Sequence, residues 1–359
     1  MATRTEIITR WRDRIGAAIQ AGEAPGVQCV VVGRDGPVLE AAAGWADLAS
    51  RRPMEPGTTL MAYSMTKVLT AVAALQLVEK GALSLDASVR ALVPEVPYGD
   101  RLAVRHLLAQ TSGIPNPVPL RWVHPPGEER TFDERAMLRR RLAESPALRF
   151  APGARYAYSN LAYWILGMVI EAAAGRPYLE YVRANVLDRL GLSPAEAGFA
   201  IPDPQLHASG YLPRWSAMGL LRPFLLDRRL VGEVDGRWVH VKDSVLDGAA
   251  FGGLVASAWA LGRFLQDQLA TESVLLGPEG RRLLQEQQRD GAGRPVPMTL
   301  GWQVAPDGGS YLFKEGGGAG FHGEMRLRPA AGTAAVVVAN SGAFRAREFL
   351  DAVEGDRRR

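Results

Sequence analysis

The pattern with the most chemical content is a serine followed three positions later by a lysine, in Ser64-Met65-Thr66-Lys67. The apolar segment from Ser64 to Lys80 predicts a helix that ends at Gly81. Residues three apart share one face of a helix, so the Lys67 amine can reach the Ser64 hydroxyl. Backbone N–H groups and the helix dipole at such an N-terminus favour a developing oxyanion. Taken alone, the pattern also fits a helix-capping serine followed by a solvated lysine.

Lysine itself is rare in this sequence. Of the 42 basic residues only four are lysine, at positions 67, 80, 242 and 314. Arginine keeps its proton near neutral pH, whereas a buried lysine can lose it, as a general base must. A lysine in this chain therefore suggests a chemical role.

A second pattern, Tyr156-Ala157-Tyr158-Ser159-Asn160, follows Pro152-Gly153 and precedes an apolar segment over 161–174 that predicts a helix. A Tyr-x-Asn at such a junction can direct a phenol and an amide into one cleft. Beside two ammonium groups the Tyr158 phenol should ionise more easily, and could carry a proton between nucleophile and leaving group. The alternative is a half-buried aromatic residue next to a helix cap.

A third pattern, Lys314-Glu315-Gly316-Gly317-Gly318, lies between a predicted strand at 311–314 and another at 322–328. Gly316 and Gly317 would let the backbone approach a substrate so that an N–H donates to an oxyanion. The alternative is a flexible hairpin loop. His322 follows closely and either lines the same cleft or has a structural role.

These motifs, in the order Ser-x-x-Lys, Tyr-x-Asn and Lys-x-Gly, resemble those of the serine β-lactamases and penicillin-binding proteins. The chain looks most similar to class C β-lactamases and family VIII carboxylesterases. The connecting stretches His106–Gly113, Gly252–Ser257 and Val336–Asn340 also resemble this family, and the likeness extends over about residues 10 to 350.

The resemblance implies roles for the motif residues. Ser64 would be the acylated nucleophile, Lys67 its base or proton partner, and Tyr158 the proton relay. Asn160 and Lys314 would orient the substrate. The backbone N–H groups of Ser64 and Gly317 would form the oxyanion hole.

One position departs from the family pattern. Glu315 stands where the β-lactamases usually have Thr or Ser. An acidic side chain there should repel the carboxylate of a penicillin or D-Ala-D-Ala peptide, by ~10²-fold or more in affinity. We therefore expect a serine hydrolase that cleaves small-molecule carboxylic esters or thioesters. An acyltransferase, a β-lactamase or D-aminopeptidase-type amide hydrolase, and a non-catalytic ligand-binding sensor of the same fold stay open as alternatives.

The elements that must position these residues predict an α+β fold of the β-lactamase/DD-peptidase type. A helix at 4–21 and a hairpin over 26–44 open the chain, while strands at 300–304, 311–314, 322–328 and 333–340 and a helix from about 344 close it. The pattern predicts an antiparallel sheet built from both ends of the chain and flanked by the N- and C-terminal helices.

The sheet domain would consist of residues 1–80 and 250–359, with a mainly helical subdomain inserted at 81–249. That insertion includes an excursion at 203–247. Its aromatic residues, which are Tyr211, Trp215, Phe224 and Trp238, either wall the cleft or simply pack.

Composition excludes several other classes. The net charge of +4 is scattered along the chain, which argues against a nucleic-acid partner. The N-terminus carries charge where a signal peptide is apolar, and no segment is long and apolar enough to span a membrane, so we expect a cytoplasmic protein. Five scattered histidines without a metal-binding motif predict no metal and no cofactor, and Cys29 lies in a predicted core strand. The oligomeric state is not specified by the sequence.

Overall fold

The structure, a computed structural model, describes residues 4–117, 122–124, 126–127, 132–201, 203–216 and 228–355. Its central element is a seven-stranded antiparallel sheet. The strands, in chain order, are β1 (Gly26–Gly33), β2 (Gly36–Asp47), β3 (Arg52–Pro53), β4 (Leu60–Met61), β5 (Val123–His124), β6 (Ala197–Gly198), β7 (Gly210–Pro213), β8 (Val231–Asp235), β9 (Trp238–Val241), β10 (Val245–Leu246), β11 (Val255–Ala256), β12 (Gln303–Val304), β13 (Leu312–Gly317), β14 (His322–Arg328) and β15 (Thr333–Ala339).

The central sheet joins the two ends of the chain. Its order is β12-β13-β14-β15-β1-β2-β3, so the first three strands continue directly from the last four. This is the discontinuous sheet that the sequence predicts. The boundaries between the sheet domain and the inserted subdomain stay a prediction.

Helices cover both faces of the sheet. The described α-helices are α1 (Arg4–Gln20), α2 (Thr66–Glu79), α3 (Val89–Leu92), α4 (Val104–Leu108), α5 (Glu134–Ala143), α6 (Asn160–Ala174), α7 (Tyr178–Val182), α8 (Ala249–Gly252), α9 (Ala258–Leu269), α10 (Pro278–Gln285) and α11 (Ala346–Glu354). Side chains on one face of β1 and β15 pack with α1 and α11, and those on the other face pack with α9. Because both faces are covered, β1 is a nearly continuous buried run rather than an alternating one.

Cys29 lies in the layer between the sheet and the terminal helices and is fully buried. Burial raises the pKa of its thiol, because the charged thiolate would lose its hydration. The residue is therefore a core residue, as its apolar surroundings in the sequence predict.

The excursion at 203–247 lies within the predicted insertion, whose bounds stay a prediction. It contains a three-stranded antiparallel sheet in the order β7-β9-β8. Strand β7 is attached to the segments that follow β13 and β15. Tyr211 N–H donates to Gly320 O (3.2 Å), and Gly342 N–H donates to Tyr211 O (3.0 Å). The excursion therefore lies beside the end of β13.

Two other properties follow from the described residues. None of their helices combines the length and apolar character that crossing a membrane requires. Within the same part of the chain, no group of three or more His, Cys, Asp or Glu side chains is placed to hold a metal ion.

Candidate active site

Ser64 lies in a 3₁₀ turn, Tyr63–Met65, that leads directly into helix α2. As one of the first residues of a helical segment, Ser64 has a backbone N–H without a helical partner. The hydroxyl is half-buried and Lys67 follows on the first turn of the helix. The helix start predicted at Ser64 is therefore observed, with a tighter first turn.

Tyr63 holds this turn in an unusual conformation. Its φ of 46° lies in the left-handed region, which is costly for a bulky residue and persists only where neighbours fix it. The Thr66 hydroxyl donates to Tyr63 O (2.6 Å), and the Tyr63 hydroxyl donates to Ala319 O (2.6 Å). The turn that carries Ser64 is thus attached to the loop that follows β13.

Lys67 is completely buried and lies among polar atoms from three segments. Its Nζ is 3.0 Å from Ser64 Oγ, 2.8 Å from Asn160 Oδ1 and 2.6 Å from the carbonyl oxygen of Phe251. Burial, and then the neighbouring Lys314, lowers the pKa of Lys67 well below its usual value. Burial thus favours the neutral amine, which is the form that can act as a base.

Tyr158 completes the contact, because its hydroxyl is 2.6 Å from Ser64 Oγ. The Nζ atoms of Lys67 and Lys314 each lie 5.0 Å from the centre of its ring. The structure thus brings Ser64, Lys67, Tyr158, Asn160 and Lys314 together.

The prediction that Tyr158 ionises easily is wrong. Burial raises the pKa of its phenol, despite the hydrogen bond with Ser64. Burial also lowers the pKa of Lys314 to about 7, with Glu315 opposing that shift. The physical reason is that the Tyr158 phenol is itself buried, so that its phenolate would lose its hydration. Tyr158 is a protonated phenol in the resting site.

A buried glutamine places the Tyr-x-Asn segment. Ser159 N–H donates to Gln110 Oε1 (2.6 Å), and Gln110 Nε2 donates to Ser159 O (3.2 Å). The Ser159 hydroxyl then accepts from Ala162 N–H (3.1 Å) and caps helix α6. Tyr158 and Asn160 flank Ser159, so both side chains are oriented by these bonds.

Strand β13 continues through the glycines that the sequence left as a possible loop. A Cβ at Gly316 would overlap the carbonyl oxygen of Ala62 and lie 3.1 Å from Met65 N, so only glycine lets the strand approach the Ser64 turn this closely. Since Gly318 N–H donates to Phe321 O, the adjacent Gly317–His322 pair is a non-hydrogen-bonded one. The N–H of Gly317 is consequently directed away from β14.

These residues surround a cleft of about 490 Å³. His322 lines it, with its ring against Gly317. The described lining comprises Tyr63, Ser64, Val123, Tyr158, Asn160, Leu230, Ser244, Leu246, Phe251, Gly252, Glu315, Gly317, Gly318, Ala319, His322 and Gly342.

Of the aromatic residues in the excursion, Tyr211, Trp215 and Trp238 are not part of the described lining. Tyr211 instead accepts a hydrogen bond from Leu48 N–H (2.8 Å), and Trp238 packs edge-on against its ring. Trp215 is 72% exposed, and Phe224 lies outside the described residues. The excursion contributes Leu230, Ser244 and Leu246 to the cleft.

Glu315 is not the isolated negative charge that the sequence suggested. Its Oε2 accepts from an Arg347 guanidinium N–H at 3.2 Å, and its Oε1 lies 3.6 Å from His322 Nε2. Arg347 belongs to helix α11 and compensates the carboxylate. The expected repulsion of anionic substrates by Glu315 is therefore offset by Arg347.

Fold and site together define a class of protein in which a serine on a helical turn, a buried lysine and a tyrosine meet beside the edge of an antiparallel sheet. The family model for beta-lactamase matches residues 11–355. The chain therefore belongs to the beta-lactamase family.

Individual relatives agree with this assignment. A segment of 198 residues, 50% of this chain, is 38% identical to esterase EstB of Burkholderia gladioli and covers 49% of that protein. Two solved structures share the fold at 19% sequence identity. D-amino acid amidase from Ochrobactrum anthropi SV3 superimposes with a TM-score of 0.80 over 97% of this chain and 99% of its own. EstCE1, described as a hydrolase with promiscuous acyltransferase activity, gives 0.74 over 98% of both chains. The matched segments span about half or less of the curated relatives' length.

Proposed function

We propose that this protein is a carboxylesterase that forms an acyl-enzyme on Ser64. The observation that carries the proposal is the continuous contact from the Tyr158 hydroxyl through Ser64 Oγ to Lys67 Nζ, at 2.6 and 3.0 Å. Nucleophile, base and acid are thus already in hydrogen-bond reach of one another.

The surroundings of Lys67 favour its role as the base. A neutral amine has two N–H donors and one lone pair. Asn160 Oδ1 and Phe251 O, at 2.8 and 2.6 Å, accept the two N–H bonds. The lone pair is left for the proton of Ser64, and Ser64 Oγ in turn accepts from the Tyr158 phenol. The hydrogen bonds therefore run in one direction, from Tyr158 to Lys67.

In the acylation step, Ser64 Oγ bonds to the carbonyl carbon of the ester while its proton moves to Lys67. The oxyanion rests on the N–H groups of Ser64 and Gly317. As the C–O bond of the ester breaks, Tyr158 gives its proton to the leaving alkoxide. The alcohol departs, and the site is left with an acyl-serine, an ammonium on Lys67 and a phenolate on Tyr158.

Deacylation reverses these proton movements. The Tyr158 phenolate takes a proton from water as the water oxygen bonds to the acyl carbon. When the bond to Ser64 Oγ breaks, Lys67 returns its proton to Ser64. The two steps together release one carboxylic acid and one alcohol for each ester and water consumed, and they restore the resting site. It requires neither metal nor cofactor.

An ester is the favoured substrate because the cleft wall near Ser64 is largely apolar, with Val123, Leu230 and Leu246, and because EstB is an esterase. Hydrolysis of an amide is the second candidate, since the pairing of Glu315 with Arg347 removes the predicted barrier to anionic substrates. Transfer of the acyl group to an acceptor other than water would use the same site. A cytoplasmic location and the lack of a nucleic-acid partner stay predictions.

The test is turnover of p-nitrophenyl butyrate by the wild type, Ser64→Ala and Ser50→Ala. Ser50 is exposed and does not line the cleft, so its variant controls for loss of a hydroxyl. We expect turnover in the wild type and Ser50→Ala, none in Ser64→Ala, and a mass adduct on Ser64 with an ester whose acyl-enzyme is slow to hydrolyse. If the wild type showed no turnover and no adduct, the result would favour a non-catalytic ligand-binding sensor.

A further inference from the structure

A second cavity of about 620 Å³ lies behind one wall of the cleft. Among the described residues, Leu246 is the one that lines both cavities. The second cavity has an apolar part near Leu246 that includes Val245, Phe199 and Ala249. The mechanism proposed above makes no use of it.

The wall between the cavities begins with the two-stranded ribbon of β5 and β10. Val123 pairs with Leu246, and His124 pairs with Val245. Paired residues on antiparallel strands share a face, and successive residues alternate between faces. Accordingly Val123 and Leu246 lie on the face towards the cleft, whereas His124 and Val245 line the second cavity. Leu246 also borders the second cavity.

The Leu246 side chain closes this wall against helix α8. A Cβ placed on Gly252 would lie 2.9 Å from Leu246 Cδ1, so the leucine rests directly on the glycine backbone. Gly252 lines the cleft and Gly253 lines the second cavity. Leu246 and the backbone of Gly252 and Gly253 therefore lie between the two cavities.

The polar groups of the second cavity are largely compensated. Asp247 lies 3.1 Å from His124 Nδ1, and Glu171 lies 3.7 Å from an Arg135 nitrogen. Burial raises the pKa of Glu134 to about 7, so this carboxyl can be neutral. An apolar chain could enter beside Val245 without leaving these carboxyl groups as isolated buried charges.

We propose that Leu246 sets the maximum length of the apolar chain a substrate can carry, by closing the second cavity off from the Ser64 cleft. The inference rests on the proposed esterase function and specifies its substrate class: esters whose chain ends at this leucine. Removing the side chain joins the cavities and gives a longer chain room to be buried.

The experiment compares wild type, Leu246→Ala and Leu230→Ala on p-nitrophenyl esters from acetate to dodecanoate. Leu230 is the matched control, since it is equally buried (8% exposed) and lines the cleft but not the second cavity. A second series of acetate esters with alcohols of rising length distinguishes the acyl from the alcohol chain. We expect the optimal chain length to increase in Leu246→Ala but not in Leu230→Ala, and in one of the two series. Each methylene added beyond the wild-type optimum should raise the kcat/KM of Leu246→Ala by about fourfold.

Two further measurements keep the inference testable. Leu246→Phe retains a bulky wall and should shorten the optimum, which separates the effect from poor folding. Affinity for alkylboronic acids of rising chain length needs a reactive serine but no turnover. If no ester is hydrolysed but Leu246→Ala still prefers longer boronic acids, the esterase proposal would be rejected and the role of Leu246 in limiting chain length would stand. Identical chain-length profiles for Leu246→Ala and Leu230→Ala in both assays would overturn the inference.

Discussion

The side-chain amide of Gln110 binds both backbone polar groups of Ser159, at 2.6 Å through its oxygen and 3.2 Å through its nitrogen. Gln110 is fully buried and its own φ of 56° is in the left-handed region. The amide forms the two hydrogen bonds that a neighbouring strand would otherwise provide. It forms them with Ser159, the residue between Tyr158 and Asn160. Gln110 is therefore a positioning residue, which acts on the reaction through the two side chains it aligns.

Replacing Gln110 with alanine should lower kcat by about tenfold or more, because a small displacement of the Tyr158 phenol lengthens its contact with Ser64. It should also destabilise the protein by about 1–3 kcal/mol, since buried backbone groups of Ser159 lose their partner. Steady-state kinetics and thermal unfolding measure the two effects.

Gln28→Ala is the matched control for that loss of stability. Gln28 is also fully buried, donates to Thr58 O (2.6 Å) and accepts from Ala258 N–H (2.9 Å), but does not line the cleft. Both variants should have a lowered Tm, and only the Gln110 variant should lose kcat. Equal kcat in the two variants would reduce Gln110 to a purely structural residue.

Tyr158→Phe removes the group that protonates the leaving alkoxide. We expect kcat to fall by on the order of 10²–10⁴ for an alkyl ester, whose alkoxide needs a proton to depart. The rate of acylation, measured as the pre-steady-state burst of p-nitrophenolate, should fall much less for a p-nitrophenyl ester, because that leaving group departs as a stable anion. Tyr156→Phe, at the half-buried tyrosine two positions earlier, should leave both rates near the wild-type values. An equal loss in the acylation rate of both esters would contradict the acid role.

The sequence predicted which residue types meet in this site. Ser64 and Lys67 share a helix face by spacing alone, and the alternating or continuous apolar runs of β1, β14 and β15 indicate a sheet built from both termini. The glycines at 316 and 317 predicted a close approach of strand and substrate, although not that β13 itself extends through them.

What the sequence did not reveal depends on contacts between distant segments. The acceptor that Phe251 offers to Lys67 is a backbone carbonyl, which any residue type possesses. The partner of Glu315 is Arg347, thirty-two positions away. Strand β7 contains Gly210 and Pro213, which are poor strand formers, and it forms through pairing with β9. The signal for Gln110 was a glutamine in an otherwise apolar stretch, visible only as part of the family-like segment.

Lys67→Arg tests whether the base must lose its proton. Arginine keeps the positive charge but cannot be neutral near physiological pH. It should therefore reduce kcat almost as much as Lys67→Ala does, with both proteins showing the circular dichroism spectrum of the wild type. Near-normal activity in the arginine variant would mean that Lys67 acts as a charge and not as a base.

Lys314 is the remaining buried amine, and none of the described residues accepts a hydrogen bond from its Nζ. It faces the ring of Tyr158 from 5.0 Å. When Tyr158 becomes a phenolate, a charged Lys314 beside it contributes about 3 kcal/mol of stabilisation, the order of magnitude for opposite charges ~5 Å apart at an effective dielectric of about 20, equivalent to ~10²-fold in rate. Lys314 is charged below its pKa of about 7 and neutral above it.

Activity should therefore fall on the alkaline side as the pH rises through about 7, because Lys314 loses its proton there. Activity should also fall on the acidic side, because a charged Lys67 cannot accept the Ser64 proton, and the two declines together give a bell-shaped profile of kcat. In Lys314→Met the alkaline decline should vanish and the plateau should drop by ~10²-fold, while the acidic limb should move to higher pH, because Lys67 loses the neighbouring charge that lowers its pKa. Lys80→Met, at an exposed lysine, should retain the full bell. An alkaline decline that persists in Lys314→Met would assign it to another group and remove Lys314 from the stabilisation of the Tyr158 phenolate.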